Sequence, residues 1–91
     1  MDDEAWWLYV LECRGGVLYT GIAKDVEARF EAHVKGKGAK FTRWKPPKRI
    51  VAKVSFATKG EALRAEHALK QVTRAEKLRW CADPSRAITT T

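Results

Sequence analysis

The sequence predicts an α+β domain: a small three-stranded antiparallel sheet flanked by helices in the order ββαβαα. Three observations predict it. Residues 6–13 are aromatic, β-branched and nearly all apolar, and a second such run, 17–22, follows across Arg14-Gly15-Gly16. A third apolar run lies well downstream at 49–56. Three helix-start signals stand between and after these runs: Asp25, Thr58 with Glu61, and Thr73 with Glu76. Two adjacent strands, a third after a helix, and two closing helices imply a small sheet covered by helices.

The near-continuous apolar character of 6–13 reads as a strand covered on both faces. Arg14-Gly15-Gly16 is a turn, so 17–22 closes a β-hairpin. The length of that turn decides where the two tyrosines point. A two-residue loop would pair odd positions with even ones and send Tyr9 and Tyr19 to opposite faces. A three-residue loop over 14–16, with a glycine in the left-handed conformation, pairs Tyr9 with Gly21 and Tyr19 with Leu11. Both hydroxyls then share a face as diagonal neighbours, about 7–8 Å apart at the backbone. The three-residue loop is expected, with Gly21 leaving room on that face for a phosphate.

Asp25 is a plausible N-cap for a helix over about 26–35, ended by Gly36 and Gly38. At about 100° per residue, Val26, Phe30 and Val34 form its buried stripe, while Arg29 and His33, four apart, flank it. A basic, Pro-bearing loop leads to the third strand at 49–56. Thr58 with Glu61 and Thr73 with Glu76 read as capping boxes that open helices to about 71 and about 80. In the first of these, Ala62, Ala65, Leu69 and Val72 form the stripe and Glu66 falls at its margin. A carboxylate there is costly unless paired or bound to a cation. Pairing with an arginine and binding a metal are its two readings. His67 falls opposite the stripe and is expected in solvent, and Trp80 is expected to pack the last helix onto the body. Residues 1–5 and 81–91, the latter including Cys81, read as tails around one domain at 6–80.

Ninety-one residues, 45% of them apolar, suffice for one modest core and exclude a disordered basic tail. No apolar run approaches the ~18–20 residues of a membrane span. The acidic start, Met1-Asp2-Asp3-Glu4, is unlike a secretory signal, and Cys13 and Cys81 make neither a disulfide framework nor a zinc cluster. A cytoplasmic setting is expected. Eighteen Lys and Arg against eleven Asp and Glu leave a net charge of +7, which points to a polyanionic partner. Residues 35–49 hold Lys35, Lys37, Lys40, Arg43, Lys45, Lys48 and Arg49 with no acid, matching the whole net charge. Phe41 and Trp44 interleave with these bases, a mixture suited to phosphate contact and base stacking. Lys35, Lys37, Lys40, Arg43 and Lys45, together with Gly21, are the candidate nucleic-acid contacts.

Trp7-Leu8-Tyr9, followed ten residues later by Tyr19-Thr20-Gly21, resembles the paired signature of the GIY-YIG nucleases. Arg29 lies ten residues after Tyr19, and Glu66 follows inside a later helix. The segments 18–22 (Leu-Tyr-Thr-Gly-Ile), 25–29 (Asp-Val-Glu-x-Arg), 36–40 (Gly-Lys-Gly-Ala-Lys) and 63–66 (Leu-Arg-Ala-Glu) are similar to those of the small stand-alone bacterial members. The resemblance covers about residues 6–80. It implies a GIY-YIG-like fold and a divalent-metal-dependent endonuclease that hydrolyses DNA phosphodiester bonds, directed by substrate structure and linked to repair or recombination. It implies roles for Tyr9, Tyr19, Arg29, His33 and Glu66, the last holding one Mg²⁺ or Mn²⁺. Tyr9 is the expected water-activating group, with Tyr19 positioning phosphate, although the residues alone leave the two interchangeable. His33 is the expected relay, because its pKa lies nearest neutrality.

The chain departs from the family in three places. Trp7 and Leu8 replace Gly-Ile in the first motif, Ile22 stands where some members carry lysine, and the asparagine some members carry past the glutamate is missing. DNA is the expected partner, with RNA the second choice. No sequence-reading element is visible, so a partner protein or substrate shape would supply specificity. The competing readings are a non-catalytic nucleic-acid-binding module on the same fold and an adaptor whose basic loop docks an acidic protein.

Overall fold

The structure, a computed structural model, describes residues 5–83. Most of the expected tails, 1–4 and 84–91, lies outside the described residues. Strand β1 (Trp6–Cys13) turns through Arg14–Gly16 into β2 (Leu18–Ala23); α1 (Val26–Val34), α2 (Lys40–Trp44), β3 (Pro47–Phe56), α3 (Lys59–Lys70) and α4 (Arg74–Ala82) follow. The sheet is antiparallel with order β2-β1-β3. The α+β class and three-stranded sheet are those the sequence predicts, with one helix more.

The central strand is buried on both sides, with Leu8, Tyr9, Val10 and Leu11 all at 1% exposure or less. Alternation then builds two cores. Leu8 and Val10 pack with Ala52, Leu69 and Trp80 under α3 and α4. Tyr9, Leu11 and Cys13 pack with Val26, Phe30 and Phe41 under α1 and α2. The catalytic candidates on β1 and β2 therefore belong to the α1–α2 layer. β3 is longer than β1, and the excess appears as register shifts at Val10/Leu11 and Glu12/Cys13. Its first residue is Pro47, a position where no ladder N–H is lost.

The caps fall as expected. Asp25 accepts from the Ala28 N–H, Thr58 from the Glu61 N–H, and Thr73 and Glu76 form the reciprocal box. At Thr58 only the forward bond forms, so that cap is half of the predicted box. Helix α4 runs to Ala82, which places Cys81 on a helix packed at the core margin instead of in a tail. Trp80 is buried, and His67 is exposed and bonded to Gln71.

Two further expectations are corrected. The basic loop is not all loop: residues 40–44 form α2, which starts at Ala39, whose carbonyl accepts from the Thr42 and Arg43 N–H groups. The stripe of α1 is also rotated. Val34 is 48% exposed, whereas His33, expected on its flank, is fully buried. The reason is α2, which covers the flank of α1 that a lone helix would leave to solvent, and which offers His33 a polar partner there.

Candidate active site

The hairpin decides the geometry. Gly15 and Gly16 both take the left-handed conformation, at φ 81° and 78°, and make the turn three residues long. The register is Tyr9 opposite Gly21 and Tyr19 opposite Leu11, so both tyrosines face α1, with ring centroids 6.4 Å apart. Gly21 has a role different from the expected one. A Cβ there would lie 2.6 Å from the Tyr9 hydroxyl oxygen, 2.7 Å from Cζ and 3.3 Å from Tyr19 Cε2. The missing side chain is space for the Tyr9 ring, not for a phosphate, and Gly21 itself is buried. Gly21→Ala should therefore destabilise the fold by roughly 1–3 kcal/mol, the usual cost of overpacking. Urea unfolding would show a lower midpoint, and an unchanged midpoint would mean that Tyr9 is not seated against Gly21.

Four polar groups act on Tyr9. Its hydroxyl is 3.0 Å from His33 Nε2. Arg29, one turn before His33 on α1, acts on the same hydroxyl through hydrogen bonding and through its charge. Tyr19 and, more weakly, Glu66 of α3 act on it electrostatically. Burial is the largest influence, followed by Tyr19, and together they push the Tyr9 phenol up to about 12 despite the opposing Arg29. His33 is held below the usual histidine range, first by burial and then by the Arg29 charge. At neutral pH the pair is thus a neutral phenol against a neutral imidazole.

Thr42 and Ala39, which the sequence did not single out, complete the site around His33. His33 Nδ1 lies 2.7 Å from Thr42 Oγ1 in α2, and Thr42 donates to the Ala39 carbonyl at 2.8 Å. A Cβ on Gly38 would overlap the His33 imidazole, so that glycine lets the chain lie flat on the ring. Phe41 stacks on Tyr19 at 6.0 Å and 14°, and meets the 70% exposed Trp44 edge-on at 6.2 Å. The Lys45 ammonium stands 4.8 Å over the Trp44 ring. Lys35, Lys37, Lys40 and Arg43 are exposed around this wall. Arg49 is set apart from that group: Glu12 holds it at 2.7 Å, so one of the seven bases is opposed after all.

Glu66 pairs with Lys70 one turn later, at 3.2 Å, instead of with the arginine its marginal position suggested. Its side chain keeps 19% exposure, open to solvent on one side. Among the described residues no three His, Cys, Asp or Glu cluster as a preformed metal cage. A single hard carboxylate, balanced at present by an ammonium, fits a cation such as Mg²⁺ that keeps most of its waters and takes its remaining ligands from phosphate.

A small sheet whose paired tyrosines share a face, with a helix arginine and a glutamate from a later helix within electrostatic reach of one of them, defines a class. Residues 5–79 match the family model of the GIY-YIG catalytic domain, and the chain belongs to that nuclease family. Within it, the chain is similar to the UPF0213 proteins. It is 50% identical over 80 residues to one from Cupriavidus pinatubonensis, covering 88% of this chain and 89% of that protein. A UPF0213 protein of Staphylococcus aureus is 45% identical over 76 residues, covering 84% of this chain and 93% of its own. The solution NMR structure of a UPF0213 protein from Bacillus halodurans superimposes with a TM-score of 0.56 at 36% identity, covering 96% of this chain and 99% of that one. Membership implies a nucleic-acid substrate, and family members generally use a divalent metal. Among the described residues no helix is long and apolar enough to cross a membrane.

Proposed function

We propose that this chain is a divalent-metal-dependent endonuclease that hydrolyses DNA phosphodiester bonds in the cytoplasm, directed by substrate structure, in repair or recombination. One observation carries the reading: the buried Tyr9 hydroxyl lies 3.0 Å from His33 Nε2 and within the influence of the Arg29 guanidinium, beside a segment rich in exposed cations. A pure binding module has no need of a buried phenol bonded to a buried imidazole.

Tyr9 is 1% exposed, so substrate first meets the exposed Arg29 and the half-exposed Tyr19. Arg29, on turning to the non-bridging phosphate oxygens, uncovers the Tyr9 hydroxyl to the attacking water. A phenol near 12 is not ionised beforehand. Water gives its proton to Tyr9 as Tyr9 passes its own to His33 Nε2, the new O–P bond forms, and the leaving oxygen departs and takes a proton from solvent. Glu66 would hold a Mg²⁺ or Mn²⁺, and the chemistry such an ion supplies is relief of charge on the phosphate and the leaving alkoxide. Lys35, Lys37, Lys40, Arg43 and Lys45 grip the backbone, and Trp44 offers a stacking face.

The test is cleavage of a panel of labelled DNA and RNA structures with Mg²⁺, Mn²⁺ or chelator, across pH. Metal-dependent cleavage of DNA is expected. His33 must be neutral to accept a proton and its pKa lies below the usual 6.5. The rate should therefore be flat above neutrality and fall only on acidification below that value. Binding without cleavage on every substrate would favour the non-catalytic module. A rate that climbed steadily into the alkaline range would indicate a preformed tyrosinate instead of the relay.

A further inference from the structure

Thr42 lies in the short helix the sequence did not reveal, 1% exposed, with its hydroxyl against the far nitrogen of His33. Two short contacts meet at that one oxygen: 2.7 Å to His33 Nδ1 and 2.8 Å to the Ala39 carbonyl. A hydroxyl has one proton and a carbonyl can only accept. The proton must therefore point to Ala39, since otherwise two lone-pair-bearing oxygens face each other at 2.8 Å with nothing between them. Thr42 Oγ1 then meets Nδ1 as an acceptor, and Nδ1 must carry the imidazole proton.

A third contact favours the other arrangement. The Ala39 N–H points at Nδ1 from 3.4 Å and would need a lone pair there. That distance is at the edge of hydrogen bonding, against 2.7 Å for the hydroxyl, so the shorter contact decides. Both short bonds are satisfied by one assignment only. A neutral ring with its proton on Nδ1 has its lone pair on Nε2, the nitrogen 3.0 Å from the Tyr9 hydroxyl. The bonds then run in one direction: Tyr9 donates to Nε2, Nδ1 donates to Thr42, and Thr42 donates to Ala39.

We propose that Thr42 is a positioning residue: through the Ala39–Thr42–His33 chain it holds His33 in the tautomer whose Nε2 is free to take the Tyr9 proton. The proposal rests on His33 being the proton acceptor in the nuclease reaction. It explains why a polar residue is buried in α2, and it gives that helix a purpose besides carrying cations. The same ring is held on its flat side by Gly38 and at its edge by Tyr19, at 5.2 Å and 63°, so Thr42 governs protonation of a ring already fixed in place.

The experiment is long-range ¹H–¹⁵N correlation NMR of the imidazole nitrogens in the full chain, beside single-turnover cleavage, for wild type, Thr42→Ser and Thr42→Val. The chain has two histidines, and the exposed His67 is assigned by its own substitution. Wild type and Thr42→Ser should show neutral His33 with the proton on Nδ1. Thr42→Val, close in shape but without the acceptor, should move population to the Nε2–H form. Its kcat should fall by about 10–100-fold at unchanged KM, less than the loss when a wrong tautomer is enforced in a hydrolase triad. Serine should restore the rate. A wild-type spectrum with the proton on Nε2 would overturn the proposal, as would a Thr42→Val protein with unaltered tautomer and kcat. An inactive wild type would count against the nuclease reading alone, because the wild-type spectrum decides the tautomer without any turnover.

Discussion

Glu66→Ala should abolish cleavage while nucleic-acid binding persists. Among the described residues the carboxylate pairs with Lys70, one helical turn away, and with none of the basic wall residues. Its loss removes the one hard acidic ligand through which Glu66 would hold the divalent cation. Charge relief of several kcal/mol at a phosphoryl transition state, at about 1.4 kcal/mol per decade, corresponds to a loss of roughly 10³-fold or more. The fold should scarcely notice, since an i,i+4 pair of this kind contributes about 0.3–0.5 kcal/mol. Binding should hold or tighten, because removing one acid from a chain of net charge +7 makes it +8. Cleavage under single turnover and fluorescence anisotropy of labelled DNA separate the two effects. A variant that cleaved at the wild-type rate in Mg²⁺ would remove the metal from Glu66.

The parts of this site legible in the sequence are those fixed by local geometry. A three-residue turn containing left-handed glycine sets the parity of the hairpin, and parity alone puts Tyr9 and Tyr19 on one face. Helical spacing alone puts Arg29 and His33 one turn apart. The parts that were not legible depend on a second element covering the first. Five residues are too few to show a helical period, so α2 was hidden in a charge run, and with it Thr42 and the stacking of Phe41 on Tyr19. Without α2, helical spacing on α1 gives no reason to bury a histidine in preference to Val34. Glycines mislead in a similar way. The sequence shows that a side chain is missing at 21 and 38, but only packing shows that Tyr9 and His33 fill those spaces. The cation run was legible as charge but not as architecture: Lys45 and Trp44 form one stacked unit, while Arg49 belongs to Glu12.

Tyr9→Phe should lower cleavage by about 10²–10⁴-fold, the range set by loss of a positioned proton-transfer group. The substitution keeps the ring in its place between the β1 core and Gly21 and removes only the oxygen that meets His33 Nε2. Leaving that nitrogen unpaired in a buried site costs about 1–3 kcal/mol of stability, a drop visible in thermal unfolding and distinct from the rate effect. KM should stay near its wild-type value, because Arg29 and the cations of the α1–α2 wall still hold the backbone. Tyr19→Phe is the discriminating comparison. Tyr19 is half-exposed, and its ring is held by stacking on Phe41 and by the edge contact to His33, neither of which needs its hydroxyl. Its loss should be the smaller of the two and should fall on substrate positioning. The two tyrosines, interchangeable in the sequence, are separated in the structure by one bond, from the Tyr9 oxygen to a buried imidazole. If Tyr19→Phe instead cost more in kcat than Tyr9→Phe, the proton-transfer role would pass to Tyr19, and the His33 relay would have no phenol to serve.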